Sequence, residues 1–420
     1  MNSFEYKNGS LFAEQVKLAD IAAVVGTPFY CYCQSEIIFH FNAMKQEFAD
    51  LSPLIAYAMK ANSNQAIISL LGNAGAGADI VSLGELERAV AAGIDPKKIV
   101  FSGVGKNEKE MMRALELGIH CFNLESVPEL ERLNDIAAKM NVIAPVSVRI
   151  NPDVDAKTHT KISTGKFDNK FGIPYIEANA VFKKIKNSSH LKAIGIDMHI
   201  GSQIIDLAPF DEAISILASL FKSLNENGHE LEHIDIGGGL GISHGKNDKS
   251  PDLKEYAKIV RSHIKPLNCK LIIEPGRWLV GNAGVLVTKV EYFKQGASKD
   301  FVIVNAAMND LLRPALYEAH HDILPLSKPQ DNAEQMKVDV VGPICESSDY
   351  LAQGQYLNPV KQDDLIAIMS AGAYGAAMAG TYNSRPLITE VLVFGDKFET
   401  IRERQTIADL IALDNVPAWI

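Results

Sequence analysis

What most constrains this chain is a pattern that repeats eight times between residues 54 and 277: a short apolar run, then an amphipathic stretch. The runs are LIAYAMK (54–60), GAGADIVS (75–82), KIVFSG (98–103), HCFNLES (120–126), PVSVRIN (145–151), LKAIGIDMHIGS (191–202), LEHIDIGGG (231–239) and CKLIIEPGR (269–277). Stretches such as GELERAVAAG, KEMMRALELG and FDEAISILASLFKSL lie between them. They space their apolar residues three and four apart, and several close on glycine, as helices with one buried face do. Eight strands with crossover helices are the count of an α/β chain folded as a (β/α)8, TIM-like barrel. A doubly wound open sheet is the rival, but no G-x-G-x-x-G follows the first run.

A barrel makes a demand that the sequence can meet or fail: polar chemistry should gather where the strands end. Those ends carry Lys60, Ser82, Ser102, Glu125, Arg149 with Asn151, His199 with Ser202, Gly237-Gly238-Gly239, and Glu274 with Arg277. Each has a bland reading. Lys60 can snorkel from a packed stem, or its amine can be a nucleophile at a pocket mouth. Three glycines can be a tight turn or a nest of backbone N–H groups for a phosphate. Glu274 and Arg277 can be a surface pair. Yet the acid follows three buried-type residues, so it can meet a protonated ring nitrogen, and the arginine a carboxylate. His199 can be a satisfied core histidine; with no second His or Cys at ligand spacing, no metal is expected.

The texture changes after residue 285, where VLVTKVEYFK, DFVIVNAA, MKVDVVGPI, DLIAIMSAG and TEVLVFG read as strands joined by turns. Residues 34–284 are therefore expected to form the barrel. Residues 1–33, ending in the strand-like TPFYCYC, with 285–420 are expected to form a second, mostly β domain. A long polar insertion at 155–173 reads as a functional lid or a disordered loop. The five cysteines (Cys31, Cys33, Cys121, Cys269, Cys345) suit neither a disulfide framework nor a zinc site, and Cys31 and Cys33 share one side of a strand as packing residues. With no signal-peptide pattern at the start and no membrane-length apolar run, a cytoplasmic location is expected. A net charge of −10 without a basic cluster argues against nucleic acid as a partner.

An amine, an anion nest, an acid for a ring nitrogen and a flat imidazole together suit one cofactor, pyridoxal 5'-phosphate held through Lys60. The segments YAMKAN, STGKFDNKFGI, MHIGSQ, DIGGGLG, EPGRW, NDLLRPALYEA, VGPICESSD and AGAYGAAMAGTYNSRP carry a resemblance. In that order they resemble the fold-type III pyridoxal-phosphate decarboxylases, most closely the branch acting on meso-2,6-diaminopimelate. The resemblance implies Lys60 as the cofactor lysine, His199 stacked on the ring, and Gly237 to Gly239 with Tyr374 around the phosphate. It implies Glu274 against the pyridine nitrogen, and Ser202, Gly276 and Arg277 as further cofactor contacts. Cys345 would be the proton donor, and Arg277, Arg313, Tyr317, Glu346 and Tyr374 would meet the substrate.

The same resemblance implies a homodimer in which Cys345 and Glu346 reach the partner's site. The reaction implied is loss of CO2 from the D-centre, giving L-lysine as the last step of its biosynthesis. Ornithine- and arginine-type relatives follow the active cysteine with Asp, where this chain has Cys345-Glu346-Ser347-Ser348-Asp349. A decarboxylase of another basic amino acid (ornithine, arginine or carboxynorspermidine) is the alternative. An alanine-racemase-like enzyme would use a tyrosine base, and a dead relative should have lost Lys60 or Cys345. A plain barrel without cofactor also stands as a rival. EAHHDI (318–323) departs from the family's text and reads as surface variation.

Overall fold

The computed structural model describes residues 3–420 except Lys157, Ser163, Lys166, Phe167, Asp168, Lys246, Asn247, Asp331 and Asn332, and the backbone alone of Thr160. The chain forms two compact units: His40–Ile242 with Lys249–Trp278, and Met1–Phe39 with Ser243–Asp248 and Leu279–Ile420.

In the first unit, eight parallel strands close on themselves. They are β1 (Leu54–Ala58), β2 (Gly77–Ile80), β3 (Ile99–Phe101), β4 (Cys121–Leu124), β5 (Ala144–Asn151), β6 (Leu191–Asp197), β7 (His233–Asp235) and β8 (Lys270–Ile273). Each pairs with the next, and β8 returns to β1. Nearly every strand residue is buried because crossover helices cover the outer face and the closed core fills the inner one. Several strand-to-helix turns are fixed by caps. Asn64, Ser82, Asn107 and Ser126 each accept a hydrogen bond from the first turn of the following helix, each such cap stabilising by about 1 kcal/mol. Ser82 at its strand end is thus a capping residue.

The strands are shorter than the apolar runs that announced them. Lys60, His199, Ser202 and Arg277 all lie past the last ladder residue of their strands.

The second unit is a mixed sheet with neighbouring strands in the order Tyr350–Leu357, Met336–Val341, Asp300–Val304, Gly284–Lys294, Phe29–Cys33, Thr389–Phe394 and Lys397–Arg402. Phe29–Cys33 runs antiparallel to Gly284–Lys294 and parallel to Thr389–Phe394, so the opening segment enters the middle of this sheet. Both of its faces are covered. Cys31 and Cys33 pack in an apolar cluster with Val285, Val287 and Val391, while Tyr30 and Tyr32 stack with ring centres 6.1 Å apart. Among the segments not foreseen as strands are the hairpin Phe4–Lys7 with Ser10–Ala13, then Lys397–Arg402 and Tyr350–Leu357. The latter reads YLAQGQYL, whose half-exposed pattern lacks clean alternation. Among the described residues no helix is long and apolar enough to cross a membrane.

Candidate active site

β1 ends at Ala58, and a single tight turn, Met59–Ala61, carries Lys60. Tyr57 donates to the Asn62 carbonyl at 2.8 Å, and Asn62 Oδ1 accepts the Asn64 N–H at 3.0 Å, which pins the turn. Lys60 Nζ donates to Asp79 Oδ2 at 2.5 Å, and Asp79 is fully buried on β2. The ammonium therefore turns inward to a buried carboxylate instead of snorkelling outward.

His199 follows β6. Its Nδ1 accepts the Gly238 N–H at 3.2 Å, which leaves the ring proton on Nε2. Burial, then the cations Arg149 and Lys60, hold its pKa well below the ordinary value, so the ring is neutral. The three glycines that follow β7 pack tightly. A Cβ would lie 2.3 Å from the Met198 carbonyl oxygen at Gly237, 2.2 Å from that of Glu274 at Gly238, and 2.4 Å from that of Gly201 at Gly239. Close approach by the neighbouring strand ends therefore demands glycine at all three. Gly276 is held by the same crowding, its would-be Cβ 3.1 Å from Ala58 Cβ and from Ala61 Cβ. Arg277 donates to Ser202 Oγ at 3.0 Å.

Glu274 is buried past β8 and accepts from Ser102 Oγ at 3.4 Å and Asn123 Nδ2 at 3.5 Å. It stands with Asp197 and Asp235, carboxylate oxygens within 4.8 Å of one another. Burial, then Asp235, Asp79 and Asp197, push the Glu274 carboxyl well above its usual range, opposed by Lys60. Burial likewise lifts Asp235 to about 7, opposed by the Gly237 N–H it accepts at 2.9 Å. Around Glu274, its acidic neighbours were not foreseen. Asp79, Asp197 and Asp235 each interrupt an apolar strand run, and that interruption is the signal that could have found them.

Arg149 pairs with Glu125 at 2.7 Å, both buried, and donates to the His199 carbonyl at 3.2 Å. Glu125 also accepts the Gly172 N–H at 2.8 Å. Thr158 and Thr164 donate to the Ser202 and His199 carbonyls, both at 2.7 Å, so this part of the 155–173 insertion is fastened over the β6 end. Ser163, Lys166, Phe167 and Asp168 of its STGKFDNKFGI motif lie outside the described residues.

The remaining expected residues lie in the second unit. Buried Arg313 places Nη1 at 2.9 Å from His321 Nε2 and 3.2 Å from His244 Nε2. His321 Nδ1 donates to the Met369 carbonyl at 2.8 Å, so its Nε2 accepts from the guanidinium. Burial, then Arg313 and His244, keep His321 neutral. EAHHDI is thus not surface variation. His320 is exposed beside Asp322, but its neighbour His321 is 1% exposed and sits on the arginine. Adjacent histidines in a polar stretch gave no hint of which one turned inward.

Cys345 is exposed, its N–H donating to Asn383 Oδ1 at 3.2 Å. Glu346 is exposed too; hydrogen bonds from Ser348, then Tyr382, hold its carboxyl below the usual range. Asp349 shapes their loop by accepting the Ile344 N–H at 2.6 Å and that of Met308 at 2.7 Å. Tyr317 and Tyr374 are half-buried.

A family model described as the pyridoxal binding domain of pyridoxal-dependent decarboxylases matches residues 34–281. A diaminopimelate decarboxylase of Vibrio cholerae is 49% identical over 418 residues, 99% of each chain. The crystal structure of a diaminopimelate decarboxylase from Helicobacter pylori complexed with L-lysine is similar at a TM-score of 0.91 and 43% identity, over 94% of this chain and 99% of that one. One from M. jannaschii, also with L-lysine, is similar at a TM-score of 0.94 and 38% identity, over 99% and 98% of the two chains.

Proposed function

This chain belongs to the diaminopimelate decarboxylases, within the pyridoxal-dependent decarboxylases, and from that premise we propose that it removes the D-centre carboxyl of meso-2,6-diaminopimelate as CO2 and leaves L-lysine. Its cofactor is pyridoxal 5'-phosphate. The observation that carries the reading is the inward-turned Lys60 amine on Asp79, in the same barrel mouth as a buried acid cluster.

The residues fit the cofactor. The carboxyls of Asp197, Asp235 and Glu274, buried together, cannot all ionise, and a cationic ring nitrogen beside Glu274 would restore their charge. The bare backbone at Gly237 to Gly239 admits close approach, and Lys60 would hold the group through its amine. Ser202, Gly276, Arg277 and Tyr374 would add contacts. When bound, the cofactor takes up the electron pair that departing CO2 leaves behind.

The chain's own groups do the rest. Asp79 positions the Lys60 amine, and the neutral His199 ring offers a flat apolar face without adding positive charge. Cys345 returns a proton to the carbon that lost CO2. Arg277 and Arg313 hold the distal carboxylate, while Glu346 holds the distal ammonium. Residues 34–284 are the cofactor-binding domain and include Arg277; residues 1–33 with 285–420 supply the other substrate groups and the proton donor. The working form is a homodimer in which Cys345 and Glu346 serve the partner's site, which suits their exposure on a single chain. A cytoplasmic location suits five free cysteines.

Substrate choice tests this reading. D-lysine has the reacting centre of meso-diaminopimelate but lacks the distal carboxylate. Sites built around such a polar partner reject an analogue lacking it by roughly 10⁴ or more. CO2 release should show that preference over D-lysine and ornithine. Comparable kcat/KM on ornithine would move the enzyme to the basic amino-acid branch.

A further inference from the structure

The opposite, N-terminal end of the barrel holds a cluster that the reaction does not use. His120 precedes β4, Cys121 opens it, and His233 opens β7. One ring nitrogen of each histidine and the cysteine Sγ fall within 4.8 Å of one another, and the two imidazole centres are 5.2 Å apart. Strand register explains how residues so distant in sequence meet. It aligns His233, Gly195, Ser147 and Asn123 in one row across β7, β6, β5 and β4. A Cβ at Gly195 would lie 2.1 Å from His233 Nε2. The missing side chain is what lets the imidazole lie across β6. Cys121 stands two residues before Asn123, on the same face of β4.

His233 makes this more than a chance grouping. The residue is 1% exposed, and both ring nitrogens are buried without a hydrogen-bond partner among the described residues. A neutral imidazole carries one donor and one acceptor, and leaving both unmade in a core is costly. Ser147, next in the row beyond Gly195, also has a buried hydroxyl oxygen without a partner among those residues. A cation taking the ring's lone pair resolves the acceptor. Cys121 adds a soft ligand, which gives up its thiol proton when a metal binds. His120 is partly exposed and offers a way in.

We infer that His120, Cys121 and His233 form a zinc site, with a water as the fourth ligand. Two nitrogens and one thiolate suit this borderline-soft ion, whose tetrahedral ligands stand roughly 3.3–3.8 Å apart. The partly exposed His120 is the member free to close that distance. Binding releases the Cys121 S–H proton to solvent and changes no oxidation state. The ion would tie β4 to β7, which are not neighbours in the barrel, and so would act on stability and not on turnover.

The test uses holoenzyme carrying Cys345→Ala, which removes the exposed thiol, treated with EDTA and then titrated with Zn2+ or Co2+. The expected result is one ion per chain, a thiolate-to-cobalt absorption band, and a raised Tm. Cys121→Ser should abolish the band, and the conservative surface-side variant His120→Gln should weaken binding at least about tenfold. Failure to bind one ion per chain, or binding unchanged in both variants, overturns the assignment.

Discussion

At the scale of single residues, the histidine pair at 320 and 321 is the sharpest lesson. His321 presents a lone pair to Arg313 because its other nitrogen is committed to the Met369 carbonyl. It therefore positions the guanidinium proposed for the distal carboxylate. Replacing it by Ala removes an acceptor from a buried cation, a loss worth about 1–3 kcal/mol, or roughly 5- to 150-fold. If Arg313 binds ground and transition states alike, the loss should fall on KM for meso-diaminopimelate, with kcat and cofactor absorbance little changed. An unchanged KM with a lowered Tm would make His321 a packing residue only. Legibility at this scale followed chemistry and not contact. Lys60, Glu274 and the glycines could be read because their types are unusual where strands end. Asp79 and Asp197 left only the interruption of an apolar run, and His321 left no signal, because their roles depend on what crosses from another strand or turn.

At the scale of the element, the apolar runs located all eight barrel strands, since a strand covered on both faces has little choice but to be apolar. The capped turns were half legible: Ser82 was visible at its strand end, but its capping duty was not. The half-exposed strand Tyr350–Leu357 was missed because one-sided burial at a margin leaves no clear period. The strand interiors also carry a pH response. Asp235 titrates near 7 when folded and near 3.9 when unfolded. The folded state therefore holds the extra proton between those values. Stability from this group is full below about pH 4 and is lost as pH rises through 7, up to roughly 4 kcal/mol. An Asp235→Asn variant keeps a side-chain oxygen for the Gly237 N–H but cannot ionise. Urea unfolding of the cofactor-free protein at pH 5 and 7.5 should show a smaller loss in the variant. An equal loss would place the proton on another carboxyl.

At the scale of the whole molecule, the proposed sharing of sites between copies gives a complementation test. Lys60→Ala and Cys345→Ala homodimers should each be nearly inactive, Cys345 as a positioned acid being worth on the order of 10²–10⁴ in rate. Mixed dimers should regain activity, because one site per dimer then has both groups. No recovery after verified subunit exchange would sink the shared-site proposal. The sheet of the second unit carries a different consequence. Unlike the barrel, it has open margins, and a bare strand edge is a template on which another chain can stack. One margin, Lys397–Arg402, alternates charge along its length at Lys397, Glu399 and Arg402. The other, Tyr350–Leu357, is broken by two register shifts and by Gly354 at φ +58°. Neither offers the smooth apolar ribbon on which strands stack into fibres, so both margins are poor templates for a further chain.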